Sequence, residues 1–346
     1  MNFKTYRASF LIVVSIALVL SMFWLIPSLA FIIFLSLLLA LFLRPVVDFF
    51  AKKMPRALAA WLALLSFISL FILLITLISG SFIPAFTAFI ADFPNISRQF
   101  YERTNSLDLK FLTSDLDSMW NEVFNTGLTA LKSSLGLLLS LFNKVIDGVV
   151  VLFVSFYFMK DKEILKAEIT DMFPEKSRER ISNLIENILT ALRAYLTSQL
   201  IICINTGLIV FIYFIIMDIP YAPVFAVISA VAEFVPVLGP TVASCFGILI
   251  ALTISPVTAM QTAVFYLVLT QFNHNVIYPN IIGKSLNIHP IIIILGIILG
   301  GELLGAAGMF LAVPITTVIK IIIEDVRNDY SEKVSAMENS RWLRRE

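Results

Sequence analysis

Charge is scarce in this sequence. Of 346 residues only 14% are charged and 59% are hydrophobic, where a soluble globular domain carries about 25% charged and 45–50% apolar residues. So little polar surface excludes a water-soluble globule and points to a polytopic membrane protein. A net charge of +1 leaves no concentrated basic face, so nucleic acid is not an expected partner. Cysteine is nearly missing. Cys203 and Cys245 both lie inside apolar runs and read as small core residues, not as a disulfide framework. No zinc-ligand spacing occurs, so no metal site is expected. "GKS" at Gly283 to Ser285 has the form of a phosphate-binding loop end, but that motif needs a glycine where Tyr278 stands and a preceding strand. With no Ser/His/acid motif either, the expectation is no catalytic residue and no cofactor beyond a coupling H+ or Na+.

What the chain does have is long apolar runs. A bilayer span needs about 20 residues at 1.5 Å each. The first run is Ala8 to Ile26, behind Lys4 and Arg7. A cleaved signal peptide shares that basic start, yet the run is long and further spans follow at once. Ser28 to Leu43 returns to "RPVVDFFAKKMPR", where Arg44, Lys52, Lys53 and Arg56 outnumber Asp48. The positive-inside rule places this loop and the N-terminus in the cytoplasm. Ala57 to Ser79 is a third span, a fourth ends at Met159, a fifth is Ala194 to Met217 and a sixth is Val257 to Asn280.

Between the third and fourth spans the chain is more polar and striped, with Phe86, Phe89, Ile90 and Phe93, then Leu116, Met119, Trp120 and Val123. "SDLD", Ser114 to Asp117, resembles a capping box. Amphipathic helices on the outer side are expected, acting as a packing shaft. Ile181, Leu184, Ile185, Ile188, Leu189 and Leu192 fall at i, i+3, i+4, i+7, i+8 and i+11, which predicts a second amphipathic helix on the cytoplasmic side.

Two runs are interrupted. Tyr221 to Ile254 is broken by "EFVPVLGP" around Glu233, and Ile288 to Ile323 by "GGELLGAAG" around Glu302. Each arm of the first has about 14 to 16 residues, or roughly 21 to 24 Å of helix, against a hydrocarbon core of about 30 Å. Short arms favour re-entrant hairpins over full spans, although two full helix pairs would leave the C-terminus on the same side. Irregular backbone at that depth is tolerated only against protein or a water-filled cavity. Span plus hairpin, repeated in opposite orientation, is an inverted repeat, the architecture in which secondary transporters bind substrate at broken elements. A mid-membrane carboxylate persists only if neutral, paired or facing water. Glu233, at a helix end among unpaired carbonyls, is favoured as the protonated acid or as a cation ligand.

Other polar residues share helix faces. Gln199, Cys203 and Thr206 do so in the fifth span, and Gln271, His274, Asn275 and Tyr278 in the sixth. Interhelical hydrogen bonds are the bland account, at roughly 0.6 to 2 kcal/mol each. Gly296, Gly300, Gly301, Gly305 and Gly308 contain two GxxxG spacings, which fit close helix packing or exposed backbone at a hairpin tip.

"SQL" at Gln199, "VAEFVPVLGP", "NHNVIYPNIIGKSLNIHP" and "GGELLGAAGMFLAVPITTVI" resemble the autoinducer-2 exporter family of bacterial membrane proteins, through most of the chain. The resemblance implies an inner-membrane transporter with no cofactor, a homo-oligomer with the pentamer as candidate form, and a cargo that is a quorum signal or, in an alternative, sodium and protons. Where family members often have Asn or Asp before the proline motif, this chain has Glu233, which fits an ion-coupled member.

The expected fold is an all-α polytopic membrane protein, with about six full transmembrane helices, two re-entrant or broken hairpins in an inverted repeat, and amphipathic helices on both sides. Residues 1–83 form scaffold spans, 84–132 outer helices, 133–193 the fourth span and cytoplasmic helix, 194–323 a transport core and 324–346 a cytoplasmic tail. Candidate binding residues are Glu233, Pro236, Gly239 and Pro240 at the first break; Gln199 in the fifth span; Gln271, His274, Asn275 and Pro279 in the sixth; and Gly301, Glu302 and Gly305 at the second. The expected function is ion-coupled export of a small polar metabolite such as autoinducer-2. A sodium(lithium)/proton antiporter and a non-transporting membrane scaffold are the alternatives. An intramembrane enzyme is disfavoured, because no paired-carboxylate motif accompanies the two glutamates.

Overall fold

Apolar runs punctuated by proline and by charge pairs determine the helices of the computed structural model. It describes residues 10–12, 14, 18, 21–22, 25–106, 145–235, 238–277 and 288–342. The described residues are helical with no strand. The labelled elements are α1 (Pro27–Phe50), α2 (Arg56–Ser106), α3 (Val145–Lys160), α4 (Lys162–Asp171), α5 (Arg178–Ile216), α6 (Ala222–Ala232), α7 (Leu238–Ile254), α8 (Pro256–Phe272), a π-helical turn (Asn273–Ile277), α9 (Pro290–Leu304) and α10 (Ala306–Trp342). Among the described residues three helices are long and apolar enough to cross a bilayer: Ser28–Phe50, Arg56–Asp92 and Glu175–Ile216. Shorter apolar helices cover Ala222–Ala232, Gly239–Ile254 and Ile291–Leu303.

The broken runs fold as their prolines and glycines require. Helix α6 stops at Ala232, residues 233–235 form a turn, and α7, against which α6 packs, begins at Leu238. The second break falls at Gly305, three residues beyond Glu302. Gly305 adopts φ +60 and ψ −142, a conformation that glycine reaches without Cβ strain. Helices α9 and α10 then pack backbone to backbone. A Cβ on Gly300 would lie 2.4 Å from the Gly308 carbonyl oxygen. Helix α10 does not end with the apolar arm near Ile323 but continues to Trp342.

The boundary expected at Pro84 is not a helix break either. Helix α2 runs through Pro84 and Pro94, since a proline removes one N–H bond and bends a helix without stopping it when neighbours hold both halves. The expected "SDLD" cap and the stripe from Leu116 to Val123 lie outside the described residues.

By packing, the chain divides into two compact units: residues 1–65, 146–196 and 284–346, and residues 66–145 and 197–283. In the first, Leu38 and Leu41 of α1, Leu192, Tyr195 and Leu196 of α5, and Leu311 and Val313 of α10 form one core. The stripe foreseen on α5 is buried there and in a neighbouring cluster, where Ile181 and Leu184 meet Ile322. In the second unit, Phe89 and Ile96 of α2 join Val210 and Phe214 of α5 and Phe225 of α6. Phe214 stacks on Phe225 with ring centroids 5.1 Å apart, and Phe89 meets Phe225 edge-on at 5.8 Å. The outward faces stay apolar, as on α2 at Leu65, Leu70, Phe71, Ile72, Leu73, Leu74 and Leu77. That is the pattern of helices solvated by lipid or by another subunit.

Charges gather where the apolar runs end. Glu186, ahead of the run that begins at Ala194, lies 3.4 Å from Arg44, 3.4 Å from Lys166 and 3.9 Å from Lys162. Partial burial alone would push its carboxyl up; Lys162, Lys166 and Arg44 outweigh that and hold it below the usual glutamate range. Its contribution to stability is therefore full above the ordinary glutamate pKa, about 4.3, and is lost as pH falls through the lowered folded value. In thermal unfolding of the detergent-solubilised protein, Glu186→Gln is expected to lower the midpoint at neutral pH, and the gap to the wild type should narrow in acid. A gap independent of pH would show that the cluster contributes nothing electrostatic.

Candidate functional site

Helix α6 ends in apolar residues with no basic group in its last turn, so its terminal carbonyls need partners from elsewhere. Gln199 of α5 supplies one, since its Nε2 donates to the main-chain carbonyl of Glu233. The turn bonds Phe234 N to Val231 O at 3.1 Å, Val235 N to Ala232 O at 2.9 Å and Gly239 N to Val235 O at 2.9 Å. Gly239 then passes so close to the end of α6 that a Cβ would sit 1.7 Å from the Ala232 carbonyl oxygen. No side chain fits there. Pro240, in the first turn of α7, needs no N–H partner at that position.

The Glu233 side chain is buried, at 7% exposure. Its Oε1 accepts from Thr206 Oγ1 of α5 at 2.9 Å and from Asn273 Nδ2 at 3.3 Å. Asn273 Nδ2 also donates to Thr206 Oγ1 at 2.8 Å, and Asn205 Nδ2 donates to Asn273 Oδ1 at 3.3 Å. Cys203 completes the α5 face, its Sγ 4.0 Å from Gln199 Nε2. Every donor is neutral, and among the described residues no ion pair includes Glu233. The shell presents a hydroxyl and amide N–H groups to one buried acid, with the carboxyl oxygens themselves left to take up a proton or a cation. It does not offer a nucleophile with a base beside it.

The structure thus joins Gln199 and Glu233, with Gly239 shaping the break. Gln271 and Asn275 are exposed and bond to each other, Asn275 Nδ2 to Gln271 Oε1 at 2.9 Å, away from that shell. Pro236 and Pro279 lie outside the described residues, and His274 is described only by its place in the π turn. Gly301, Glu302 and Gly305 belong to the other unit. Glu302 is exposed there, Gly301 faces Met309, and Gly305 makes the turn.

The residue missed from sequence is Asn273. It continues the buried stripe of α8, Ala259, Thr262, Tyr266 and Leu269, at i, i+3, i+7, i+10 and i+14. That stripe was available as a signal, whereas Gln271 and Asn275 mark an exposed face. At Asn273 itself the helix widens to π geometry, an insertion common at functional sites.

Gly239→Ala is expected to be the most damaging single methyl in this region. Overpacking of this kind costs about 1 to 3 kcal/mol or more, and it should appear as a fall in unfolding midpoint and in folded yield. Wild-type stability of that variant would mean that the α6–α7 break opens freely.

Comparison with known proteins bears on what such a site is for. The sequence pattern of the AI-2E family transporters matches residues 12–328. YueF of Bacillus subtilis (strain 168), named as a candidate transport protein, is 28% identical over 296 residues, covering 80% of this chain and 78% of its own. YrrI of the same organism, similarly named, is 34% identical over 171 residues, so the match spans only about half of each chain (49% and 48%). The AI-2 transport protein TqsA of Escherichia coli (strain K12) is 24% identical over 307 residues, 86% of each chain.

Proposed function

Because the chain belongs to the AI-2E transporter family and is a membrane transporter, we propose that it is an ion-coupled secondary transporter in which Glu233 takes up the coupling ion. One observation carries this reading: a buried carboxylate held by Thr206 and Asn273 and, among the described residues, by no cation. A charged carboxylate costs about 2.5 to 3.5 kcal/mol at the bilayer centre on insertion scales. Neutralising it by a proton, or screening it by sodium, lowers the barrier for the α6–α7 hairpin to cross a dry interface. That difference corresponds to a coupling on the order of 100-fold in the population of the moving state.

The cargo we favour is a small polar metabolite exported from the cell, with autoinducer-2 as first candidate because TqsA is named for it. Sodium(lithium)/proton antiport is the second reading. It is favoured by a buried carboxylate with no cationic side chain beside it among the described residues, since carboxylate oxygens bind a small hard cation as well as a proton. The setting is the bacterial inner membrane, with both termini cytoplasmic, the two hairpins re-entrant in an inverted repeat, and the subunits in a homo-oligomer.

In proteoliposomes with imposed proton and sodium gradients, Glu233→Gln is expected to insert and fold but to lose coupled transport and its pH dependence. Glu233→Asp should retain part of both. Glu302→Gln should have the smaller effect, as its side chain is exposed. Wild-type rates and pH dependence in Glu233→Gln would return the residue to a packing role.

Topology has its own test in a background with Cys203 and Cys245 replaced. Cysteines at Ser106 and Asp218 should react with an impermeant thiol reagent on intact cells, and those at Lys162, Lys284 and Ser335 only after the membrane is opened. Labelling at Lys284 on intact cells would overturn the re-entrant arrangement.

A further inference from the structure

The buried stripe of α8 carries more hydroxyls than packing needs. Ser255 Oγ and Thr258 Oγ1 pair at 2.8 Å in the α7–α8 turn, where both residues are partly exposed. One turn on, Thr262 Oγ1 meets Tyr213 OH of α5 at 3.2 Å and also donates to the Thr258 carbonyl at 2.8 Å. One further turn on, Tyr266 OH meets Ser229 Oγ of α6 at 3.3 Å. Ser229 lies one turn before Glu233, and its main-chain carbonyl accepts the Glu233 N–H at 3.2 Å. Thr262 and Ser229 are almost fully buried (0% and 2%), as is Tyr266 (5%). Gly247 of α7 makes room for the Tyr266 ring, since a Cβ there would lie 2.6 Å from it.

Three features distinguish this seam from ordinary interhelical bonding. In the Ser255–Thr258 and Tyr266–Ser229 rungs either oxygen can donate, whereas Thr262, whose hydrogen goes to the Thr258 carbonyl, accepts from Tyr213 and must release that carbonyl to pass a proton on. Successive rungs are four residues apart on α8, a rise of about 6 Å. A single water bonding two oxygens at 2.7 to 2.8 Å each reaches roughly 5.5 Å, so the path requires the oxygens of successive rungs to lie within that reach. And the series runs from a partly exposed turn to the turn before the buried acid, over about 16 Å of α8 between Ser255 and Tyr266.

We propose that Ser255, Thr258, Thr262 with Tyr213, and Tyr266 with Ser229 form a proton path, with single waters between rungs, that loads Glu233 from the α7–α8 turn. This rests on the reading of Glu233 as the coupling site and adds the route and the side. Each hydroxyl accepts a proton on one side as it gives one up on the other. No group along the path is left charged, and one proton arrives on the Glu233 carboxylate. Tyr213 and Tyr266, Cys203 near Glu233, and, at the start of α6, Tyr221 with its acceptor Asp92 are titratable side chains of this region, and none carries a positive charge to repel the incoming proton. The orientation assigned by charge places the α7–α8 turn outside. Protons then enter from the exterior, the direction in which an inward proton gradient drives export.

The test is time-resolved infrared spectroscopy of the full-length protein in proteoliposomes after an external acid step, following the protonated-carboxyl stretch. The Glu233 band is assigned by its loss in Glu233→Gln; if no band is lost, the Glu233 reading fails and the path with it. In Tyr266→Phe/Thr262→Val, which keeps both shapes, the band should reach wild-type amplitude about tenfold or more slowly. Azide, a small diffusible proton carrier, should restore the rate. Thr253→Val, which removes a buried hydroxyl off the seam, should leave the rate unchanged. Ser229→Ala supplies a separate rung should the double variant fail to fold. Wild-type rates in the path variants, or slowing that azide does not relieve, would overturn the path and leave these hydroxyls as interhelical bonds.

Discussion

Keeping a carboxyl group out of water at a helix break is the constraint on which the rest of the second unit depends. Glu233 has no cation to answer it among the described residues, so the surrounding chain must present neutral donors at fixed positions. Thr206 and Asn273 do this from two different helices. Their placement requires α5 and α8 to flank the end of α6 closely, which in turn requires small or absent side chains at the crossing points. Gly239 against Ala232, Gly207 against Ala230 and Gly247 against Tyr266 meet that requirement.

Aromatic packing keeps those helices at the right distance. Phe89, Phe214 and Phe225 stack around the start of α6, and Tyr221 OH donates to Asp92 Oδ2 at 2.7 Å. Tyr221 takes φ +63 to begin α6 and Asp218 takes φ +52 just before it. These are left-handed conformations that non-glycine residues hold only when their surroundings over-determine them. The entrance to the hairpin is thus held by contacts from α2, while its tip is held by polar groups from α5 and the π turn. An element fixed at one end by apolar packing and at the other by a neutralisable acid has a natural switch: the charge state of the acid changes the second anchorage and leaves the first intact.

The two broken runs, alike in hydropathy, differ in chemistry. At the first, the carboxyl is buried and the glycine is forced by a main-chain approach. At the second, Glu302 faces outward, and the glycines serve the crossing of α9 and α10 and the turn at Gly305. Division of the chain by packing describes which residues cohere, and the division into scaffold and transport core concerns which residues move, so the first does not decide the second.

Composition and periodicity by themselves determined that the chain is helical and made for a bilayer, where its breaks lie, which face of the Ile181–Leu192 segment is apolar, and that Glu233 sits at a helix end. These are local properties, set by transfer free energy, by backbone geometry at proline and glycine, and by the 3.6-residue repeat. Only the tertiary structure decided which acid is enclosed, that Asn273 rather than the Gln271 and Asn275 pair reaches it, and that α2 continues through Pro84. Each of those depends on how far one helix is rotated about its axis relative to another. The π turn at Asn273 changes that rotation within one helical turn, and a proline in a helix is decided by what supports it from outside. Polar density along a strip cannot distinguish a face turned inward from one turned to a lipid headgroup or a partner, because both demand hydrogen bonds.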